Sequence, residues 1–180
     1  MSIGAGLGSL RMGAIFLAAF APFLLAQAPK LPDVELLDQD GQKVRFYSDL
    51  VRGRTVAIDF VFTNCQTICP VLGANFAKAS RLLEKDGAKF MLISLSVDPT
   101  NDTPASLRAY AAKFGSGPAW RLLTGEKRNV DELLRALGAY TPDKTAHSAE
   151  VLIGNGQNPW IRGNGMGSPA KIVQLMRNVH

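Results

Sequence analysis

The sequence predicts an α/β fold: a central mixed sheet flanked by helices. Three observations predict it. TVAIDFVF (55–62) reads as β-branched and apolar throughout, the composition of a strand buried on both faces, and KFMLISLSV (89–97) reads as a second buried strand. Segments with helical apolar spacing follow each of them. Short alternating runs broken by Asp40-Gly41 near one end, and by a Gly/Asn turn near the other, signal an N-terminal and a C-terminal hairpin. Strands that alternate with helices place parallel pairs in the middle of such a sheet.

Taken in order, PKLPDVELL (29–37) is a Pro-rich linker entering a strand, and VELLDQDGQKVRFYSDL (34–50) is the first hairpin. After the strand at 55–62 and a cysteine-bearing segment, Pro70 suits the first turn of a helix. Val71, Leu72, Phe76, Ala79, Leu82 and Leu83 then recur at helical spacing as far as Gly87. Beyond the second buried strand, DPTNDTPASLRAYAAKFG (98–115) is a turn and a helix. Thr103 is its N-cap, Pro104 its first residue and Gly115 its terminator, and Asp102 and Thr103 are both read as helix-capping residues. WRLLTG (120–125) is a short strand, and EKRNVDELLRALGA (126–139) is an amphipathic helix. SAEVLIGNG and NPWIRGNG (148–165) form the last hairpin, and SPAKIVQLMRNV (168–179) closes as a helix capped by Ser168.

At 180 residues, 47% of them hydrophobic, the chain can bury a core that needs no covalent staple. The first 28 residues stand apart. They contain no acid and one base, Arg11, followed by an apolar run from Met12 to Leu25 and the small-residue pattern Ala26-Gln27-Ala28. This is the pattern of a secretory signal with cleavage after Ala28, an uncleaved anchor being the alternative. It leaves one domain over 29–180, facing an export compartment. The formal net charge is +5, from 20 Lys+Arg against 15 Asp+Glu, with the bases scattered along the chain. No basic run interleaved with aromatics occurs, which argues against nucleic acid as a partner. No Walker or G-x-G-x-x-G pattern supports nucleotide binding either.

The two cysteines, Cys65 and Cys69, lie four residues apart in FVFTNCQTICPVLG. In a helical or turn geometry that step aims both sulfurs at one point. A helix starting at Pro70 would favour thiolate over thiol at both. Cysteines in a loop at a helix start are expected to be solvent-exposed. Thiolates select soft or borderline cations such as cuprous copper and zinc. A structural zinc site wants four protein ligands. The inventory here is two Cys and two His, and His180 is the last residue. Cys65, Cys69 and His147 therefore make a three-donor set, which fits cuprous copper better than structural zinc. Spacing alone leaves His147 open, because a lone histidine is more often a surface residue than a ligand. Strand, cysteine loop and helix in this order form the thioredoxin-like arrangement.

FTNCQTICP, SVDPTNDTPASLRAY, LLTG and HSAEVLI, in that order, resemble the SCO/SenC family of copper chaperones from about Leu31 onward. The resemblance implies a thioredoxin-like fold. It also implies a copper site, cuprous or cupric, on Cys65, Cys69 and His147, and a redox-active Cys65–Cys69 pair. Asp98 is similar to a family acid that lies near the site and affects metal loading or transfer. The implied partner is the copper-acceptor subunit of cytochrome c oxidase or another periplasmic copper protein. The implied location is the periplasm, with membrane association through the N-terminal segment. The chain departs from the family pattern at Gln66, at Thr100-Asn101 and in the hairpin after His147, where Met166 is a candidate extra soft ligand. The alternative function is a periplasmic thiol-disulfide oxidoreductase that reduces cysteines of the acceptor through a mixed disulfide. That activity has no use for His147.

Overall fold

The computed structural model describes Met1, residues 31–115 and residues 117–179. The expected leader, apart from Met1, and His180 lie outside the described residues. Among the described residues no helix is long and apolar enough to cross a membrane.

The fold is a seven-stranded mixed sheet flanked by helices. The strands are β1 (Glu35–Asp38), β2 (Lys43–Arg45), β3 (Thr55–Val61), β4 (Phe90–Ser96), β5 (Trp120–Thr124), β6 (Glu150–Gly154) and β7 (Ile161–Asn164), in the spatial order β2-β1-β5-β4-β3-β6-β7. The helices are α1 (Cys69–Leu83), α2 (Pro104–Ala112), α3 (Lys127–Ala136) and α4 (Pro169–Arg177). Strands β3, β4 and β5 are parallel, and every other pairing is antiparallel. Both expected hairpins form, one at each edge. The β1–β2 turn rests on Gly41 at φ +76°, a conformation other residues seldom adopt, with the Asp38 carboxylate accepting from the amides of Asp40 and Gln42.

The sheet is buried on both faces. Alternation along β3 sends Ala57 and Val61 toward α1, α2 and α4, where they join Cys69, Phe76, Leu107, Tyr110 and Ile172. Val56, Ile58 and Phe60 point the other way, to Val130, Leu133 and Leu134 of α3 and to the 46–51 turn. Asp59 breaks the apolar pattern that the sequence suggests for this strand. It lies on the α1 side by the same alternation, is fully buried, and neither carboxylate oxygen has a hydrogen-bond partner. Burial raises its carboxyl to about 7, against the opposing effect of the Ser94 hydroxyl on β4.

Helix α2 starts as expected. Thr103 and Ser106 form a reciprocal capping box, with Pro104 in the first turn. At α4, Ser168 occupies the N-cap position but its hydroxyl makes no capping bond. Helix α1 begins with no side-chain cap at all, one residue before Pro70. The start of α1 is therefore set by its surroundings, and it places Cys69 at the C-terminal end of the parallel strands, where α/β folds build their sites.

Candidate metal centre

The residues leaving β3 determine where the first sulfur sits. Phe62 is buried, and its carbonyl accepts from the Cys65 amide at 3.1 Å in a tight turn. Asp102, just before α2, fixes the same turn from outside. Its carboxylate accepts from Thr63 N at 3.1 Å, Thr63 Oγ1 at 2.6 Å and Ser96 Oγ at 2.6 Å. The sequence suggested helix capping for Asp102. The cap is Thr103, and the Asp102 side chain turns instead to the cysteine loop, because buried Ser96 and half-buried Thr63 converge on it. Tyr110 of α2 donates its hydroxyl to the Cys69 carbonyl, so α2 also holds the first turn of α1.

Cys65, Cys69 and His147 come together: their Sγ, Sγ and imidazole nitrogen lie within 4.8 Å of one another. No other such group of His, Cys, Asp and Glu occurs among the described residues. The closest approach is Cys69 Sγ to His147 Nε2, 3.7 Å. Both cysteines are free thiols. The site is not the open loop that the sequence suggests. Cys65, Cys69 and His147 are 8%, 0% and 9% exposed. The burial arises because Cys69 opens a helix packed on the sheet, and because Phe62 meets the imidazole edge-on at 5.5 Å.

The two thiols are unequal. Burial pushes Cys65 up, but hydrogen bonds from the Cys69 thiol, the Thr67 hydroxyl and the backbone of both residues outweigh it. They bring Cys65 down to about 7. Cys69 moves the other way. Burial raises it strongly, and its role as donor to Cys65 raises it further. The helix N-terminus was expected to favour thiolate at both positions, and for Cys69 desolvation outweighs it. Burial also lowers the pKa of His147, which favours the neutral imidazole with a free lone pair, and its Nδ1 is buried with no hydrogen-bond partner.

Asp98 is not one of the clustered donors. It is 9% exposed, and its carboxylate accepts from Asn101 Nδ2 and pairs with Lys144 at 2.5 Å. Met166 is 41% exposed on the turn after β7, whose flanking carbonyls at Gly165 and Gly167 accept from Asn75 of α1. Sequence reasoning missed Lys144, Thr63, Tyr110 and Asp59. Only Asp59 carried a visible signal, an acid inside an apolar strand.

The donor chemistry fits a soft, low-coordinate cation: two sulfurs, one imidazole and no carboxylate in the group. Comparison with known proteins agrees with this geometry. The SCO1/SenC family model matches residues 25–173. A SCO1 protein homolog of Bacillus subtilis is 39% identical over 96 residues, 53% of this chain and 49% of that protein. The chain thus spans about half the length of the curated relatives it matches. Two solved structures share the fold at 26% identity. A SCO1/SenC family lipoprotein from Bacillus anthracis has a TM-score of 0.71 and covers 84% of this chain and 95% of its own. BsSco has a TM-score of 0.69 and covers 83% and 92%, and it is described as having a disulfide switch and as a member of the Sco family of cytochrome c oxidase assembly proteins. With the family pattern matched over most of its length and both cysteines and the histidine gathered at one point, this chain belongs to the SCO1/SenC family.

Proposed function

We propose that this chain is an exported copper metallochaperone that holds copper on Cys65, Cys69 and His147 and delivers it to the dinuclear centre of cytochrome c oxidase. The observation that carries this reading is the convergence of two thiols and one imidazole within 4.8 Å, without a carboxylate. Copper is the cargo. The chain supplies soft donors, a neutral imidazole and a largely water-excluded pocket. Loading requires the dithiol and releases its protons, so oxidation of Cys65 and Cys69 to a disulfide would switch it off. The description of BsSco as a cytochrome c oxidase assembly protein with a disulfide switch supports both the client and the redox control. The lipoprotein relative supports a membrane-tethered, exported location, in keeping with the N-terminal 28 residues.

The test is a titration of the reduced protein with cuprous ion against a competing chelator. One-to-one tight binding that weakens in His147→Ala is expected. No tight binding in the unmodified protein, or unchanged binding in His147→Ala, refutes the three-donor site. The second reading, a thiol-disulfide oxidoreductase, is favoured by one observation, the Cys65 thiol brought down to about 7. It predicts disulfide-reductase turnover that survives His147→Ala and is abolished in Cys65→Ser.

A further inference from the structure

His147 is the member of the donor set with the least support of its own. Its Nδ1 has no hydrogen-bond partner, whereas a ligating histidine commonly fixes its ring by donating from the second nitrogen. Beyond the Ser148 backbone and the Cys69 sulfur, the segment that carries the ring holds it in place. The segment that carries it is a single 3-10 turn, Lys144–Ala146, with Asp143 accepting from Thr145 at its start and the His147 amide bonded to the Lys144 carbonyl. Within this turn, Lys144 reaches outward to two anchors. Its ammonium pairs with Asp98 Oδ2 at 2.5 Å, and it sits 5.5 Å from the centroid of the Phe62 ring. Phe62 is the ring that meets His147 edge-on.

We propose that Lys144 is a positioning residue for the metal centre, a latch that fixes the His147 segment over the cysteine loop through Asp98 and the Phe62 face. The proposal rests on the reading of Cys65, Cys69 and His147 as a metal site. Asp98 and Asp102 belong to one short loop, 98–103, and each secures a different half of the site. Asp102 holds Thr63, two residues before Cys65, by two part-buried hydrogen bonds, and is itself fixed by a buried third from Ser96. Asp98 holds Lys144, three residues before His147. Both acids are buried, Asp102 at 3% and Asp98 at 9% exposed; of their partners on the two halves, Thr63 is half-buried and the Lys144 side chain is 37% exposed. The cysteine half is thus fixed by three hydrogen bonds to one buried carboxylate, and the histidine half by a single ion pair whose lysine is partly open to water. Phe62 joins the two, because its ring centroid lies 5.5 Å from the ammonium and 5.5 Å from the imidazole. This assigns Asp98 a role without making it a ligand: it acts on His147 through Lys144.

The experiment compares cuprous affinity and amide hydrogen exchange in the reduced full chain for Lys144→Met, Lys144→Arg, His147→Ala and the Lys144→Met/His147→Ala double variant. Loss of a residue that orients a ligand weakens metal binding by about 10- to 100-fold, and that loss is expected for Lys144→Met. Lys144→Arg, which keeps a cation between Asp98 and Phe62, is expected to stay within about threefold of the unmodified protein on the same scale. The double variant is expected to bind no more weakly than His147→Ala alone, since Lys144 acts through the imidazole. In the metal-free protein, amides 145–148 should exchange faster in Lys144→Met while those of β4 are unchanged. Wild-type affinity in Lys144→Met, losses that multiply in the double variant, or exchange that accelerates in β4 as much as in 145–148 would each overturn the proposal. Failure of the unmodified protein to bind cuprous ion would instead sink the metal-site reading, and the exchange measurement would still decide whether Lys144 holds the segment.

Discussion

Replacing Asp59 with Asn should stabilise the reduced, metal-free protein, and only above a definable pH. The side chain lies on the central strand, fully buried, with both oxygens unpaired. Its carboxyl rises from an ordinary 3.8 to about 7, chiefly through burial. That is a displacement of roughly three pH units, and each unit corresponds to about 1.4 kcal/mol. The ionised form therefore costs on the order of 4 kcal/mol of folding free energy. The sign follows from proton counting: between pH 4 and 7 the folded chain keeps a proton that the unfolded chain releases. This contribution to stability is present below pH 4, falls as pH rises toward 7, and is flat above. Asn keeps the shape and abolishes the ionisation. Urea unfolding at pH 4, 6 and 8 should show the variant ahead by roughly 4 kcal/mol at pH 8. That is on the order of 10 °C in melting temperature for a domain of this size. At pH 4 the two proteins should agree within about 1 kcal/mol, the scale of exchanging one buried neutral polar group for another. A gap of equal size at pH 4 and pH 8, or a less stable variant at pH 8, would refute the reasoning.

Other perturbations test the scaffold around the thiols. Tyr110→Phe deletes the hydroxyl bond to the Cys69 carbonyl and should cost about 1–2 kcal/mol by urea midpoint. Gly73→Ala would place a methyl 2.6 Å from the Phe114 ring and 2.7 Å from the Tyr110 hydroxyl, so a loss of about 1–3 kcal/mol is expected, with α2 amides exchanging faster. Thr103→Ala removes the capping box of α2 and should lower stability by about 1 kcal/mol, with no change at pH 8 relative to pH 6.

What the sequence disclosed depended on whether the cause was local. The capping box at Thr103, the hairpin around Gly41 and the strand at 55–61 rest on a few neighbouring residues, and all are visible in a line of text. The placement of β5 between β4 and β1 is not, since its pairing with β1 joins residues 85 to 87 positions apart, such as Leu37 with Thr124. Cysteine spacing indicated a two-sulfur site, but not that the helix packing would bury it. Asp102 illustrates the limit most clearly. An acid next to a helix start is locally indistinguishable from a cap, and only the tertiary position of Thr63 and Ser96 reveals its actual bonds. Asp59 was legible as an acid, but its seven neighbours in TVAIDFVF are uncharged and mostly apolar, so the strand was read as uniformly apolar.

The inequality of the two thiols bears on how either function would run. Cys65, brought down to about 7, is half ionised near neutral pH and is the less buried sulfur. It is the group ready to meet an incoming cation or an acceptor disulfide. Cys69, fully buried and raised, surrenders its proton only when another positive centre or a new S–S bond compensates. The negative field of Asp59 adds to this reluctance, as it opposes a thiolate at Cys69. Both readings thus use Cys65 first and Cys69 second, and the order of the sulfurs does not separate them. His147 does. An imidazole that burial favours in its neutral form, with Nε2 3.7 Å from the second sulfur, offers a lone pair there in its Nδ1-protonated tautomer, at the point where the second thiolate would form. Disulfide exchange makes no use of that lone pair, and a third donor to a soft cation does. Metal binding must displace the Cys69 proton throughout this range, and because the neutral imidazole stays available below its ordinary pKa of 6.5, the further steepening of the acid loss near pH 7 should come from Cys65 before His147. A pH series of cuprous affinity in Cys65→Ser and His147→Ala would expose that order. If the steepening near pH 7 persists in Cys65→Ser and vanishes in His147→Ala, the imidazole and not the Cys65 thiol is the first group to be lost, and the argument fails.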